Sequence, residues 1–466
     1  MSSTNMRGLS KFISDIRACP NKEAERARVD KELAKIRGKF KSDRKLGGYD
    51  KKKYVWKMLY IFMLGYEVDF GHMEAMALIS SQKYAEKQVG YIVVSVMLNE
   101  SHEFLRLAIN CVRNDLISRN EAAQALALTC IANVGGKEFA EALAGEVQNV
   151  LMKTTLRPVV RKKAALCLLR LFRKNPDAVQ SDAWGRDQIS QLLHERNIGV
   201  LTAIMSLLLA LAAADPVGYS SCTGQCVEIL DRLVKNQDIP AEYTYYHIPS
   251  PWLQIKIMRL MQHFPVPGDS MRRQLLGILQ RVLLSTEVVK NVYRNNAMHA
   301  VLFEIINLVM YLDSEQELVT QCVTLLGKFI GVREPNIRYL GLENMGRLAL
   351  MPEMLHVVQA HQEKIFTSLN DPDISIRRRG MDLLFMMCDA SNAVVIQAEM
   401  LKYLPTASIS IREELVLKMA VLAERHASDH IWYVDVMLEL IQKGTEFVSD
   451  EIWYRVVQMV TNEEAL

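Results

Sequence analysis

Three consecutive lysines, Lys51, Lys52 and Lys53, follow Gly47-Gly48-Tyr49 and Asp50 and precede the apolar residues Val55, Trp56, Met58 and Leu59. The glycines read as a loop and Asp50 as a helix-capping residue, which puts the lysines in the first turn of a helix. A first turn carries unpaired backbone N–H groups and the positive end of the helix dipole, and it favours acids over bases. Local helix stability therefore does not explain three lysines there, whereas an external anion does. With Lys57 one turn on and the phenols of Tyr49 and Tyr54 alongside, the chemistry suits a multiply phosphorylated headgroup held by amides and ammonium groups.

A second set of cations precedes the first. Arg28, Lys31, Lys35 and Lys39 gather within about 80° on one helix face at 100° per residue. Val29, Leu33, Ile36 and Phe40 form a separate apolar stripe, so this helix docks by one side and presents a cationic ridge on another. A solvated face is the alternative reading of such a ridge. The charge balance supports a local role: residues 1–60 hold 17 Lys and Arg against 7 Asp and Glu, a balance of +10, while the whole chain of 466 residues carries only +3. The remainder is thus mildly acidic at −7. A basic end on an acidic body implies an anionic partner at that end, a lipid surface or a nucleic acid. Nucleic-acid binding along the repeats would call for cations distributed over the whole length, and the acidic remainder argues against it.

Catalytic chemistry has no candidate: phosphate-cradling glycine loops, HExxH, GxSxG and the kinase signatures do not occur. His299 and His426 stand alone in apolar helices and read as capped or solvent-edge residues. The eight cysteines (Cys19, Cys111, Cys130, Cys167, Cys222, Cys226, Cys322 and Cys388) form no CxxC pair and have no closely spaced histidines, which suits reduced core thiols in the cytosol. The 24 methionines read as core filler. Neither a cofactor nor a metal is expected. The N-terminus lacks the apolar stretch of a signal peptide, and the uncharged segment from Ile198 through Leu211 to Ala214 is interrupted by Gly199, Thr202 and Ser206, so it reads as a buried helix and not a membrane span.

The elements that must carry these residues are helices. Leu9, Phe12, Ile13 and Ile16 set the helical spacing of apolar residues, which continues along the chain with essentially no strand alternation. A weak repeat is superimposed: an Ile/Val-Arg pair, then a small residue three positions after the arginine. It occurs as Val160-Arg161 with Ala164, Ile337-Arg338 with Gly341, Ile376-Arg377 with Gly380 and, more weakly, Ile411-Arg412 with Leu415; Val200-Leu201 with Ile204 and Glu121-Ala122 with Ala125 keep the register without the arginine. The steps of 35 to 40 residues match HEAT and armadillo helix pairs. Asn175-Pro176-Asp177, Asp215-Pro216, Glu334-Pro335-Asn336 and Asp371-Pro372-Asp373 mark turns between units. The expected fold is all-α, a HEAT/armadillo-like right-handed α-solenoid of stacked helix pairs in one continuous architecture, a protein-binding shape.

Several segments together resemble a known family. They include Arg7-Gly8-Leu9, Phe12-Ile13-Ser14-Asp15-Ile16-Arg17, Gly48-Tyr49-Asp50-Lys51-Lys52-Lys53-Tyr54-Val55, Asp69-Phe70-Gly71-His72-Met73-Glu74, Tyr243-Thr244-Tyr245-Tyr246, Pro251-Trp252-Leu253 and Trp453-Tyr454-Arg455-Val456. The chain resembles, along its whole length, the trunks of the adaptor-protein large subunits, and among them the alpha class of the plasma-membrane clathrin adaptor. The resemblance implies a non-enzymatic scaffold in a heterotetramer with a beta large, a medium and a small subunit, working in clathrin-mediated endocytosis at coated pits on the inner face of the plasma membrane. It implies a site for phosphatidylinositol 4,5-bisphosphate on Arg7, Gly8, Lys39, Tyr49, Lys53, Tyr54, Val55, Trp56 and Lys57, with Lys51 and Lys52 beside them, inside a basic region spanning residues 7–57. It further implies that Arg17 meets the acid of an acidic dileucine cargo signal, together with the small subunit. Trp56 and Lys11 depart from the family pattern. Residues 1–466 would then be the trunk alone, without hinge or C-terminal appendage.

Overall fold

The computed structural model describes residues 6–42, 46–179, 188–285, 291–312, 314–427 and 429–462. Apart from the two-residue strands Thr244–Tyr245 and Ile248–Pro249, its regular elements among the described residues are helices. They open with α1 (Arg7–Arg17), α2 (Lys22–Lys41), α3 (Gly48–Met63), α4 (His72–Ile79), α5 (Tyr84–Met97), α6 (Phe104–Ile117), α7 (Glu121–Val134), α8 (Lys137–Met152) and α9 (Pro158–Lys174). The chain divides into two compact units, one of residues 1–244 with 252–265, the other of 245–251 with 266–466.

In the first unit the helices pack as pairs, α4 with α5, α6 with α7 and α8 with α9. Each helix also packs on the one two positions along: α3, α5, α7, α9 and the helix Ile198–Ala214 form one layer, and α4, α6 and α8 form another. This two-layer stacking defines a HEAT-like solenoid, in which each pair covers its apolar face with its neighbours. The segment read as a buried helix is helix Ile198–Ala214, with Val200, Leu201, Ile204, Met205, Leu208 and Leu211 all buried. No described helix is long and apolar enough to cross a membrane. In the second unit, Val292–Tyr311, Pro335–Ala349, Ile374–Met387 and Ile409–His426 likewise pack in succession.

The repeated arginine is a clamp between neighbouring repeats, a role its spacing alone did not reveal. Arg161 donates to the Leu151 carbonyl behind it and to Glu195 ahead. Arg338 donates to the Val332 and Arg333 carbonyls and reaches Asp371 at 2.8 Å. Arg377 holds the Asp371 and Pro372 carbonyls and the Ser408 hydroxyl, and Arg412 holds the Pro405 and Ala407 carbonyls and lies over the Phe447 ring. Each guanidinium thus satisfies a carbonyl of the turn or helix end before its own helix and touches the next repeat, which its five donors in a rigid fork permit. The small residue three positions on allows close helix approach: a Cβ on Gly380 would fall 2.9 Å from that of Ser368.

Six of the cysteines, Cys130, Cys167, Cys222, Cys226, Cys322 and Cys388, are buried thiols, and burial pushes Cys130 and Cys322 up to about 12. His299 differs from its expected solvent-edge placement. It is buried, edge-on to Phe329, with Nδ1 unpartnered among the described residues, and burial lowers its pKa. His426 is half-buried.

Candidate anion-binding site

α1, α2 and α3 meet around two aromatic contacts. Phe12 of α1 is buried with Ile16, Val29 and Ile61, and Phe40 near the end of α2 sits edge-on to Tyr54 of α3, ring centroids 6.3 Å apart. These contacts bring the start of α1 and the end of α2 to the first half of α3. Gly8 lies against the Lys53 side chain, where an added Cβ would come 3.3 Å from Cδ.

α3 begins earlier than the sequence implied. Its cap is Gly47, not Asp50, because the chain already turns helical at Gly48. Lys51, Lys52 and Lys53 therefore occupy the second turn, and Asp50 lies in the first, where an acid complements the dipole. The dipole argument for a ligand consequently weakens, and the one from unpaired charge takes its place. Neither Gly47 before α3 nor Met6 before α1 caps its helix with a side chain, so first-turn amides of Arg7, Gly8, Gly48 and Tyr49 have no side-chain acceptor there. On one flank the Glu86 carboxylate packs so close to Gly48 that a Cβ would sit 2.3 Å from it, which explains the glycine; Ser81 and Lys83 hold that acid.

The cations divide into two groups. Arg7, Lys31, Lys35 and Lys39 are exposed, Lys51 and Lys52 are partly exposed, and among the described residues no carboxylate pairs with any of them. Tyr49 is 50% exposed beside them. Lys53 is intermediate: it pairs with Asp50 at 2.6 Å and lies over the Tyr54 ring at 4.7 Å. Burial would lower its pKa, but the bond to Asp50 leads a set of interactions that leave it raised. Trp56 is half-buried and Tyr54 and Val55 are buried.

Lys57 and Arg28 belong to the inner group. Lys57 is 5% exposed and donates to Glu32 at 2.5 Å; Arg28 donates to the other Glu32 oxygen at 2.9 Å and to Asp15 at 3.0 Å. Both cations lie over the Phe12 ring. Burial raises the Glu32 pKa, but the bonds from Lys57 and Arg28 outweigh it and hold the carboxyl below its ordinary value. Arg28 is thus no part of the solvent-facing ridge, because Glu32, one turn along α2, and Asp15 on α1 draw it inward. Lys57 and Val55 are both buried in this arrangement. Sequence reasoning missed Glu32 and Asp15; the i, i+4 pairing of Arg28 with Glu32 was the available signal.

Arg17 ends α1, exposed, with no carboxylate pairing to it among the described residues. Its neighbour Asp15 is taken by Arg28.

The chain is similar to known proteins over nearly its whole length. A family model described as the adaptin N terminal region matches residues 25–466. "AP-2 complex subunit alpha-1" of Arabidopsis thaliana is 63% identical over 464 residues, 99% of this chain and 46% of that protein. "AP-2 complex subunit alpha-2" of Dictyostelium discoideum is 48% identical over 465 residues, 99% of this chain and 47% of that protein. The chain therefore spans about half the length of the curated relatives it matches. Its fold is similar to a chain in a homology model of the full-length AP-3 complex, with a TM-score of 0.59 at 21% identity, covering 89% of this chain and 72% of that one.

Proposed function

The chain belongs to the adaptin N-terminal family, and on that premise we propose that it is the trunk of the alpha-type large subunit of a heterotetrameric clathrin adaptor. It is a scaffold and no enzyme: it gathers a beta large, a medium and a small subunit, and it docks on the inner face of the plasma membrane at clathrin-coated pits during endocytosis. The named alpha relatives and the solenoid fold support this reading.

Membrane docking goes through phosphatidylinositol 4,5-bisphosphate. The observation that carries this is that Arg7, Lys39, Lys51 and Lys52, on three helices that pack on one another, pair with no carboxylate among the described residues, and that no side chain caps the starts of α1 and α3. Phosphate oxygens would accept from the ammonium groups and from the amides of Gly8, Gly48 and Tyr49, with the Tyr49 phenol at the rim and Lys53 within reach of its Asp50 pairing. Tyr54, Trp56, Val55 and Lys57 hold the platform from beneath. Cations that already have protein carboxylates gain little from an added anion, so the unpaired set determines affinity. Each contributes about 1 kcal/mol near an anionic leaflet, enough together for reversible attachment without insertion.

Arg17, exposed at the end of α1 and paired with no carboxylate among the described residues, is in the same reading the residue that meets the acid of an acidic dileucine cargo peptide, beside the small subunit. Neither function involves a nucleic acid. Sedimentation of the chain with phosphatidylcholine vesicles, with and without phosphatidylinositol 4,5-bisphosphate, tests the lipid assignment. Binding that requires the bisphosphate supports it, and equal sedimentation with both vesicles refutes it.

A further inference from the structure

In the first unit α3, α5, α7, α9 and the helix Ile198–Ala214 stack in one layer and α4, α6 and α8 in the other, so the starts of the first set and the ends of the second share one edge. Contacts from helix to helix hold that edge together. Glu86 of α5 packs against Gly48 of α3, Arg157 before α9 pairs with Glu121 of α7, and Arg161 of α9 pairs with Glu195 before Ile198–Ala214. The start of α3 is thus one stretch of a longer border.

Charge is distributed unevenly between this edge and the opposite one. Here Glu86 pairs with Lys83, Asp115 with Lys87, Glu121 with Arg157 and Glu195 with Arg161, so the border's acids are already matched. Arg119, Lys153 and Arg196 are left over. They lie in the turns that lead into α7, α9 and Ile198–Ala214, all exposed, and no carboxylate pairs with them among the described residues; Lys162 in the second turn of α9 is likewise exposed and unpaired. Glu146, half-buried farther back on α8, is the unpaired acid behind them, lining a notch of 350 Å³ with Ile117, Met152 and Lys153. At the opposite edge Arg106 pairs with Glu138, and Arg170 and Lys174 with Glu100, while Lys137 and Arg173 remain together with the acids Glu103 and Asp177, all unpaired among the described residues. Exposed apolar side chains do not separate the edges, since Tyr84, Ile117 and Val159 lie on the first and Val96 and Leu107 on the second. Charge does.

We propose that this edge is a second, separate membrane contact, where the diffuse negative charge of a lipid leaflet meets Arg119, Lys153 and Arg196. It goes beyond the phosphoinositide reading and shares with it only the facing of this edge toward a bilayer. The cations stand one to a turn, spread along the border and not gathered around one phosphate, and an anionic leaflet is the partner that answers such spacing. An exposed cation with no carboxylate of its own gives up little on approaching that surface, whereas a paired one such as Arg106 would have to share its charge with Glu138. Tyr84, Ile117 and Val159, exposed on the same border, rest at headgroup level without insertion. Because the contact is long-range and unscreened only near the surface, it adds affinity without choosing a headgroup.

The test is vesicle flotation of the whole chain as wild type, as Arg119→Ala/Lys153→Ala and, with the same change in net charge at the opposite edge, as Lys137→Ala/Arg173→Ala. All four side chains are exposed and without ion pairs among the described residues, so both variants keep the fold, which circular dichroism verifies. One vesicle is phosphatidylcholine with phosphatidylserine, and the other holds phosphatidylinositol 4,5-bisphosphate as well. Arg119→Ala/Lys153→Ala is expected to weaken binding to both roughly thirtyfold, the worth of two cations at an anionic surface, while Lys137→Ala/Arg173→Ala stays within about twofold of wild type. Equal losses in the two variants overturn the proposal, because net charge and not this edge would then govern binding. No loss in Arg119→Ala/Lys153→Ala overturns it too and leaves the edge to an acidic protein partner. If wild type floats no better with the bisphosphate than without it, the phosphoinositide reading fails, and the comparison of the two edges on phosphatidylserine still decides this proposal. Where wild type floats only with the bisphosphate, the same comparison on that vesicle decides, and flotation with neither vesicle overturns both.

Discussion

Lys52 and Lys57 stand on the same helix within two turns of each other, yet they lie in different chemical settings. Lys52 has no carboxylate partner among the described residues and is partly exposed, whereas Lys57 is buried against Glu32. Among the described residues no carboxylate pairs with the outer set of Arg7, Lys39, Lys51 and Lys52. In the inner set, Arg28 and Lys57 meet Asp15 and Glu32 in a compensated network across α1, α2 and α3. What separates the outer cations from the inner ones is a carboxylate within reach, not position in a basic run.

The largest expected effect sharpens this contrast through stability. Lys57→Met leaves Glu32 buried with half its hydrogen bonding gone, and removing one partner of a buried pair costs about 3–5 kcal/mol. Urea unfolding should register that loss, while Lys52→Met should stay within about 0.5 kcal/mol of wild type. Comparable losses would erase the distinction between inner and outer cations. The same network carries a pH signature. The folded Glu32 pKa lies below its ordinary 4.5, so the stabilisation is fully present above that value and is lost as pH falls through the lower folded pKa. Glu32→Gln should flatten the stability profile below pH 4.5, and an unchanged slope would remove Glu32 from the account.

A smaller effect is expected at Arg17, which belongs to neither set. In a complex with the small subunit, Arg17→Ala should weaken an acidic dileucine peptide by about 1–2 kcal/mol, several-fold or more, and barely affect a peptide whose upstream acid is Ser. Equal losses for both peptides in a calorimetric titration would mean that Arg17 acts through folding. Smallest is Arg7→Ala, which removes one outer charge: about 1 kcal/mol of vesicle affinity, roughly fivefold, with no change in melting temperature. A lowered melting temperature would move Arg7 to the structural set.

Much of the architecture was legible in the sequence because helical periodicity and turn residues are local signals. The helix Ile198–Ala214 begins and ends where its apolar run does, and Asp373 caps the helix after Asp371-Pro372. Of the two apolar stripes, Leu9, Phe12, Ile13 and Ile16 on α1 and Val29, Leu33, Ile36 and Phe40 on α2, the residues Phe12, Ile16, Val29 and Ile36 are buried and the others half-buried. The start of α3 was misplaced because Gly47-Gly48 looked like loop on both residues, whereas the second glycine is already helical beside the Glu86 carboxylate. Glu32 with Lys57 was not legible at all: the two are 25 residues apart, and only the packing of α2 on α3 makes them partners. The same is true of the repeated arginines, whose acceptors in the next unit lie 31 to 34 residues on.

The division between outer and inner cations is tested most directly by vesicle flotation of two folded variants side by side, Lys51→Ala/Lys52→Ala and Lys57→Met, at a temperature where circular dichroism shows both native. Two lost outer charges should cost about 2 kcal/mol, roughly thirtyfold, on vesicles holding phosphatidylinositol 4,5-bisphosphate, while Lys57→Met should remain within about twofold of wild type. A Lys57→Met protein that no longer floats while the double variant still does would contradict the account.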